Sequence, residues 1–296
     1  MSGFSSDWLA LREPADHRAR RHELLDRLDL PANDRPIRLV DLGTGTGSNL
    51  RYLLPRLGPR QQWRLVDNDP ALLDDLPVRL APWAESAGLT LTRDGETLRI
   101  DAMDGVDLSA RIDTQALDLA GDLEGLGLRD VDLVTCSALL DLFSAERLAA
   151  LADVIARARC RVLFSLSYDG RVRWTPSLPF DERATGLLNA HQRRNKGLGD
   201  AAGPDAAMLM VEALRARDYD VVVEPADWQL RPAQAALQRM LLDGWADALR
   251  EQQPELVERI RDWHRSRLRS IGDGDGDGDG DGTLQVGHLD LAAVPR

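Results

Sequence analysis

The sequence predicts an α/β protein built on a seven-stranded, mostly parallel, doubly wound sheet whose last strand runs antiparallel. Two observations carry this. Short apolar runs alternate with helical stretches, the pattern of strands joined by crossover helices that cover both faces of a sheet. The final apolar run, LQVGHLDLAAV, follows a sixth strand without a regular strand–helix–strand unit, which calls for a reversed partner at the sheet edge.

Residues 13–28 read as a helix with Pro14 in its first turn, and residues 1–35 as an N-terminal helical cap. IRLVDLG is the first strand and SNLRYLLPRL the helix after it; WRLVD is the second strand and PALLDDLPVRLAPWAESAG a long helix. LTLTRDGETLRI has two alternating arms around Asp94-Gly95, a β-hairpin inserted at 88–101. A third strand is expected over Ile112–Asp118, a fourth at VDLVTC, a helix at SAERLAALADVIARA and a fifth strand at RVLFSL. The polar and aromatic stretch 168–203 is too long for an ordinary connection and reads as a lid. Then come a helix at PDAAMLMVEALRARD, the strand YDVVVE and a helical insertion at 232–270. The main domain thus spans 36–296, with no internal repeat.

Composition narrows the function. With 43% apolar residues the chain can bury a sizeable core. The net charge of −12 argues against nucleic acid as partner, because such binding draws on Lys and Arg neutralising phosphates. Lys196 is the sole lysine. Cys136 and Cys160 make neither a disulfide framework nor a metal-ligand cluster, so no metal is expected. No apolar segment has the length of a signal peptide or a membrane span, which predicts a soluble, cytoplasmic protein. The Gly-Asp run at 272–282 begins like a calcium loop but has no glutamate at its twelfth position, and reads as a flexible acidic loop. Arg259, Arg261, Arg265, Arg267 and Arg269 read as a solvated basic helix face.

The decisive stretch is IRLVDLGTGTGSNL. A strand delivers Asp41 to its carboxyl end, and Gly43, Gly45 and Gly47 turn the chain into a helix, in the crevice where open α/β sheets bind ligands. Glycines at every second position after an acid are not the phosphate fingerprint G-x-G-x-x-G. A carboxylate there would repel a pyrophosphate but suits the cationic amino-acid end of S-adenosylmethionine. Asp67 ends the second strand, where a carboxylate can accept ribose hydroxyls. Asp118 ends the third, where it could accept from an adenine amino group while Leu119 packs on the ring.

In these motifs the chain resembles the class I, Rossmann-like S-adenosylmethionine-dependent methyltransferases. DLGTGTG is similar to their first motif, VDND to their second, LDLAGD to their third and DLVTCSALLDLF to their fourth, with the element order of 36–296 alike. The resemblance implies S-adenosylmethionine as cofactor, held by Asp41, Gly43, Thr44, Gly45, Gly47, Asp67, Asn68, Asp118 and Leu119.

The loop after the fourth strand, SALLDLF, would face the reacting methyl. Its one ionisable group is Asp141, a candidate base or orienting group, and it lacks the Asn/Asp-Pro-Pro-aromatic signature of base and amide nitrogen methylation. Cys136 has no preceding proline and reads as a core thiol. His191 in the lid is a second catalytic candidate. Tyr168, Trp174, Arg193 and Lys196 of the lid, with Arg12 before the sheet, are candidates for binding a polar or anionic small-molecule acceptor. An RNA- or protein-directed methyltransferase and a non-catalytic cofactor-binding protein stay open as alternatives.

Overall fold

The computed structural model describes residues 5–31, 35–103, 107–121, 123–195, 199–271 and 280–296. Its strands are β1 (Ile37–Leu42), β2 (Arg60–Asp67), β3 (Leu89–Asp94), β4 (Thr97–Ala102), β5 (Ser109–Ala116), β6 (Leu133–Ser137), β7 (Arg161–Thr175), β8 (Tyr219–Pro225), β9 (Trp228–Leu230) and β10 (Thr283–Pro295). The helices are α1 (Ser6–Ala19), α2 (Ser48–Leu53), α3 (Pro70–Ser86), α4 (Ala145–Ala158), α5 (Asp181–Gln192), α6 (Ala206–Arg215), α7 (Ala235–Gln252) and α8 (Val257–Ile271).

All strands join one sheet in the order β3-β4-β5-β2-β1-β6-β7-β10-β8, with β9 pairing β10. The centre, β5-β2-β1-β6-β7, is parallel, as the alternation of strands and helices requires. Both flanks are antiparallel. The hairpin β3–β4 extends the sheet by pairing β4 with β5, and the short β9 adds to β10, so among the described residues the sheet has ten strands where the sequence predicts seven.

Four further expectations are corrected. The reversed strand β10 lies between β7 and β8 rather than at the edge, bonded on both sides. The fifth strand continues well past Leu166, because β10 pairs it as far as Thr175, and this turns the first part of the expected lid into sheet. The first helix runs from Ser6, whose preceding Ser5 accepts the Trp8 N–H at 3.2 Å, so Pro14 falls inside it; a separate 3-10 turn covers His22–Arg27. The third strand, Ser109–Ala116, stops short of Asp118.

Alternation along the strands sets two cores. Val40, Leu42, Val134, Phe164 and Leu291 face Leu148, Ile155 and Met210 of α4 and α6. Leu39, Trp63, Leu65 and Ile112 face Leu50, Leu73, Leu76 and Leu80 of α2 and α3. A third core gathers the far half of β7 with α5, α7 and α8 around Trp174, Trp228 and Trp263. Arg267 of α8 corrects the solvated-face reading: it is fully buried, donates to both oxygens of Asp181 and, at 2.6 Å, to the Pro176 carbonyl, and lies 4.7 Å over the Trp174 ring. Arg261 and Arg265 do pair with acids one turn away, Glu258 and Asp262. The Gly-Asp run lies outside the described residues as far as residue 279; Gly282 at its end donates to the Ser270 carbonyl at 2.9 Å.

Candidate functional site

The parallel strands end together, and the loops after β1, β2, β5 and β6 meet there. Gly43 and Gly45 have φ of +61° and +54°, which side-chain-bearing residues rarely adopt. They also lie under protein atoms: a Cβ at Gly43 would come within 2.9 Å of Leu139, from the loop after β6, and one at Gly45 within 3.0 Å of Leu9 on α1. The loop is pinned from β2, since Thr44 N–H donates to the Val66 carbonyl at 3.0 Å and Gly45 N–H to Asp67 Oδ2 at 2.8 Å. Asp67 takes a second amide, Asp69 N–H, on Oδ1 at 3.0 Å. A carboxylate has about four lone-pair positions, so two remain for a ligand.

Asp41 is wholly buried. Asn49 Nδ2 donates to its Oδ1 at 2.6 Å, and Asn49 also donates to Thr135 Oγ1 at 3.1 Å. Oδ2 meets no donor at hydrogen-bonding geometry among the described residues; the Thr44 hydroxyl stands near enough to steady the anion and is itself without a partner. Burial raises the Asp41 pKa to about 6 against the pull of Asn49, Thr44 and Arg20. Asp118 is exposed beyond β5 and accepts Ala120 N–H at 2.8 Å, while Leu119 is buried in the core under α4; Asn68 is exposed beside Asp67.

Sequence reasoning missed the groups that tie α1 to this loop. His17 Nε2 lies 3.1 Å from the Ser48 hydroxyl, Arg51 pairs with Glu13, and Arg20 reaches Asn49 and Ser165. An arginine-rich helix next to a strand gave no signal of which arginine turns inward.

Arg12 and Tyr168 come together with Trp228 and His288, which the sequence did not place there. Arg12 donates to Asp16 at 2.8 and 3.1 Å and lies 5.0 Å over the Trp228 ring, whose Nε1 donates to Asp16 at 3.0 Å. The buried His288 ring lies 5.1 Å from Trp228 and 6.3 Å from Tyr168, with Nδ1 unpartnered among the described residues. Burial lowers its pKa to about 3, so the imidazole is neutral at physiological pH. Tyr168 donates to Asn189 Oδ1 at 2.7 Å, and burial raises its pKa. Asp141 is half-buried in a 3-10 turn, close enough to influence both Tyr168 and Cys136 electrostatically. Cys136 is fully buried, and burial pushes its thiol far up, as a core thiol requires.

The other lid residues turn elsewhere. His191 Nε2 lies 3.2 Å from Glu251 at the surface, Arg193 donates to Asp205 at 2.8 Å, and Trp174 packs edge-on against Trp245 and Trp263 at 5.7 and 6.1 Å. Lys196 lies outside the described residues. Among the described residues no helix is long and apolar enough to cross a membrane.

No family model matches the chain, and no curated protein matches it by sequence. Solved structures do resemble it. A cyclopropane-fatty-acyl-phospholipid synthase-like protein from Lactobacillus casei is 13% identical, covers 98% of this chain and 94% of its own, and superposes with a TM-score of 0.50. A SAM-dependent methyltransferase from Geobacter sulfurreducens, solved with S-adenosyl-L-homocysteine, is 15% identical over 100% of both chains with a TM-score of 0.46. With five parallel strands followed in space by the reversed β10 and then β8, the chain has the class I, Rossmann-like methyltransferase fold.

Proposed function

We propose that the chain binds S-adenosylmethionine over its glycine loop and directs methyl transfer to a small-molecule acceptor. The observation that carries this reading is Asp41: a buried carboxylate at the end of the first strand, beneath a glycine turn, with one oxygen held by Asn49 and the other steadied only by the nearby Thr44 hydroxyl among the described residues. An unpaired buried anion is costly, and a ligand ammonium supplies the missing partner. Asp67 would use its two remaining lone pairs for ribose hydroxyls, with Asn68 beside it. Asp118 and Leu119 would take the adenine, and Gly43, Thr44, Gly45 and Gly47 would line the methionine end.

When bound, the cofactor supplies an electrophilic methyl on a sulfonium, and in-line displacement depends mainly on positioning. The acceptor would lie between α1 and the far halves of β7 and β10. Tyr168 and neutral His288 offer a hydroxyl and a hydrogen-bonding nitrogen there, Trp228 an aromatic wall, and Arg12 a cation for a polar or anionic group. Asp141 is the candidate base two residues beyond Leu139, whose side chain lies over Gly43. His191 would act only by leaving Glu251, and Arg193 only by leaving Asp205.

Calorimetry with S-adenosylhomocysteine tests the reading. Binding with a dissociation constant of roughly micromolar order is expected, undisturbed by NADH. Labelled S-adenosylmethionine incubated with a metabolite extract should then yield a labelled small molecule. Binding of NADH in place of S-adenosylhomocysteine would refute the cofactor, and labelling only of RNA or protein would refute the acceptor class.

A further inference from the structure

We infer that Arg20 is a positioning residue of the cofactor site: it orients the Asn49 amide and stands as counter-charge, so that an anionic Asp41 is presented to the ligand's ammonium. The inference rests on the cofactor reading above.

The argument is one of hydrogen-bond polarity. Arg20 follows the last residue of α1, and its side chain crosses into the sheet, buried, with the guanidinium 4.1 Å over the Tyr52 ring. Nη1 donates to Asn49 Oδ1 at 2.6 Å and Nη2 to Ser165 Oγ at 3.0 Å. A guanidinium has donors only, so Asn49 must offer it the carbonyl oxygen. The Asn49 amide nitrogen then faces Asp41 Oδ1 at 2.6 Å and Thr135 Oγ1 at 3.1 Å. Thr135 gives its own proton to the Leu163 carbonyl at 2.8 Å and can only accept from Asn49. Every proton in this chain is therefore directed, and it ends on Asp41, which must accept. Without Arg20 the amide could rotate and put its oxygen against the carboxylate.

Charge points the same way. Asp41 is faced by Arg20 from α1, Asp67 from β2 and the neutral Cys136 thiol from β6. Arg20 is in turn faced by Asp290 of β10, Tyr52 of α2, and Asp16 and His17 of its own helix. Among the described residues it is the cation that acts most strongly on Asp41. Removing it leaves the carboxylate with Asp67, and the anion needed by an ammonium then forms only at higher pH.

The test compares S-adenosylhomocysteine with methylthioadenosine, which keeps the nucleoside and lacks the ammonium. Both are titrated calorimetrically across pH 5–8 against the wild type, Arg20→Lys and Arg20→Met. In Arg20→Met the midpoint for S-adenosylhomocysteine binding should rise by about one pH unit or more, with a several-fold loss at neutral pH. Methylthioadenosine affinity should change by less than about threefold, and Arg20→Lys should return the midpoint toward the wild type. An unmoved midpoint, or equal loss of both ligands, overturns the inference and makes Arg20 a structural residue. Should Arg20→Met not fold, Asn49→Leu removes the same donor with Arg20 in place, and its midpoint must also rise. A wild type that binds neither ligand refutes the cofactor reading itself, a result distinct from an unmoved midpoint.

Discussion

At the scale of single residues, the site sets the buried carboxylates of Asp41 and Asp290 around the buried guanidinium of Arg20. Burial raises the pKa of both acids, Asp41 from 3.8 to about 6. The unfolded chain therefore binds fewer protons than the folded one between those values, and stability falls as pH rises through that window. Above it, the ionised Asp41 remains a standing cost of about 1–3 kcal/mol. Asp41→Asn keeps an oxygen for the Asn49 amide and leaves Arg20 facing Asp290 and Asp16. Urea denaturation at pH 7 should show the variant more stable by about 1–3 kcal/mol, with the gain vanishing near pH 4. Its S-adenosylhomocysteine affinity should fall by about tenfold or more, as loss of a charge-assisted bond implies. A variant no more stable than wild type at neutral pH would show that the buried charge is better compensated than the geometry indicates.

Elements owe their extent to their neighbours. β7 outruns its parallel partner β6, which pairs with it no further than Ser165, because β10 continues the ladder to Thr175. Beyond it, α8 is fastened to the start of α5 by Arg267 and Asp181, with Trp263 Nε1 donating to the same carboxylate at 2.9 Å. Breaking a buried pair by removing one partner is costly because the other charge stays behind. Arg267→Met should lower stability by about 3–5 kcal/mol, and Arg267→Met combined with Asp181→Asn should recover part of that loss. Thermal unfolding of the two variants decides it; a double variant as unstable as the single one would mean that the pair organises the helices rather than balancing charge. Cofactor affinity should be unaltered in whichever variant folds, since no side chain of α8 reaches the glycine loop.

For the whole molecule, the hairpin β3–β4 is an edge addition whose two ends meet. Met103 N–H donates to the Gly88 carbonyl at 3.1 Å and Ala102 N–H to the Leu108 carbonyl at 2.9 Å. Replacing residues 89–108 by a short turn from α3 to β5 should therefore keep the fold. The buried contacts of Leu98 and Ile100 go with the segment, at roughly 1.5–3 kcal/mol each, so the melting temperature should drop. S-adenosylhomocysteine affinity should stay within about threefold, a difference of under about 1 kcal/mol. Loss of binding in a folded variant would place part of the cofactor site on the sheet edge.

The sequence by itself determined the parallel centre of the sheet, the glycine turn and the strand-end acids Asp41 and Asp67. Those features are local: strand period, turn chemistry and the position of an acid before glycines are written within a dozen residues. It left Arg20, Asn49 and Ser165 unseen, although Arg20 and Ser165 touch across 145 residues of chain. It could not tell Arg267, fully buried, from Arg261 and Arg265 on the same helix, since which arginine turns inward depends on where Asp181 stands. Nor could it fix the place of β10, because a strand's edge or interior position is set by which ladders close around it and not by its own residues. Tertiary structure alone decided these, for burial and hydrogen-bond partnership are properties of what arrives from elsewhere in the chain.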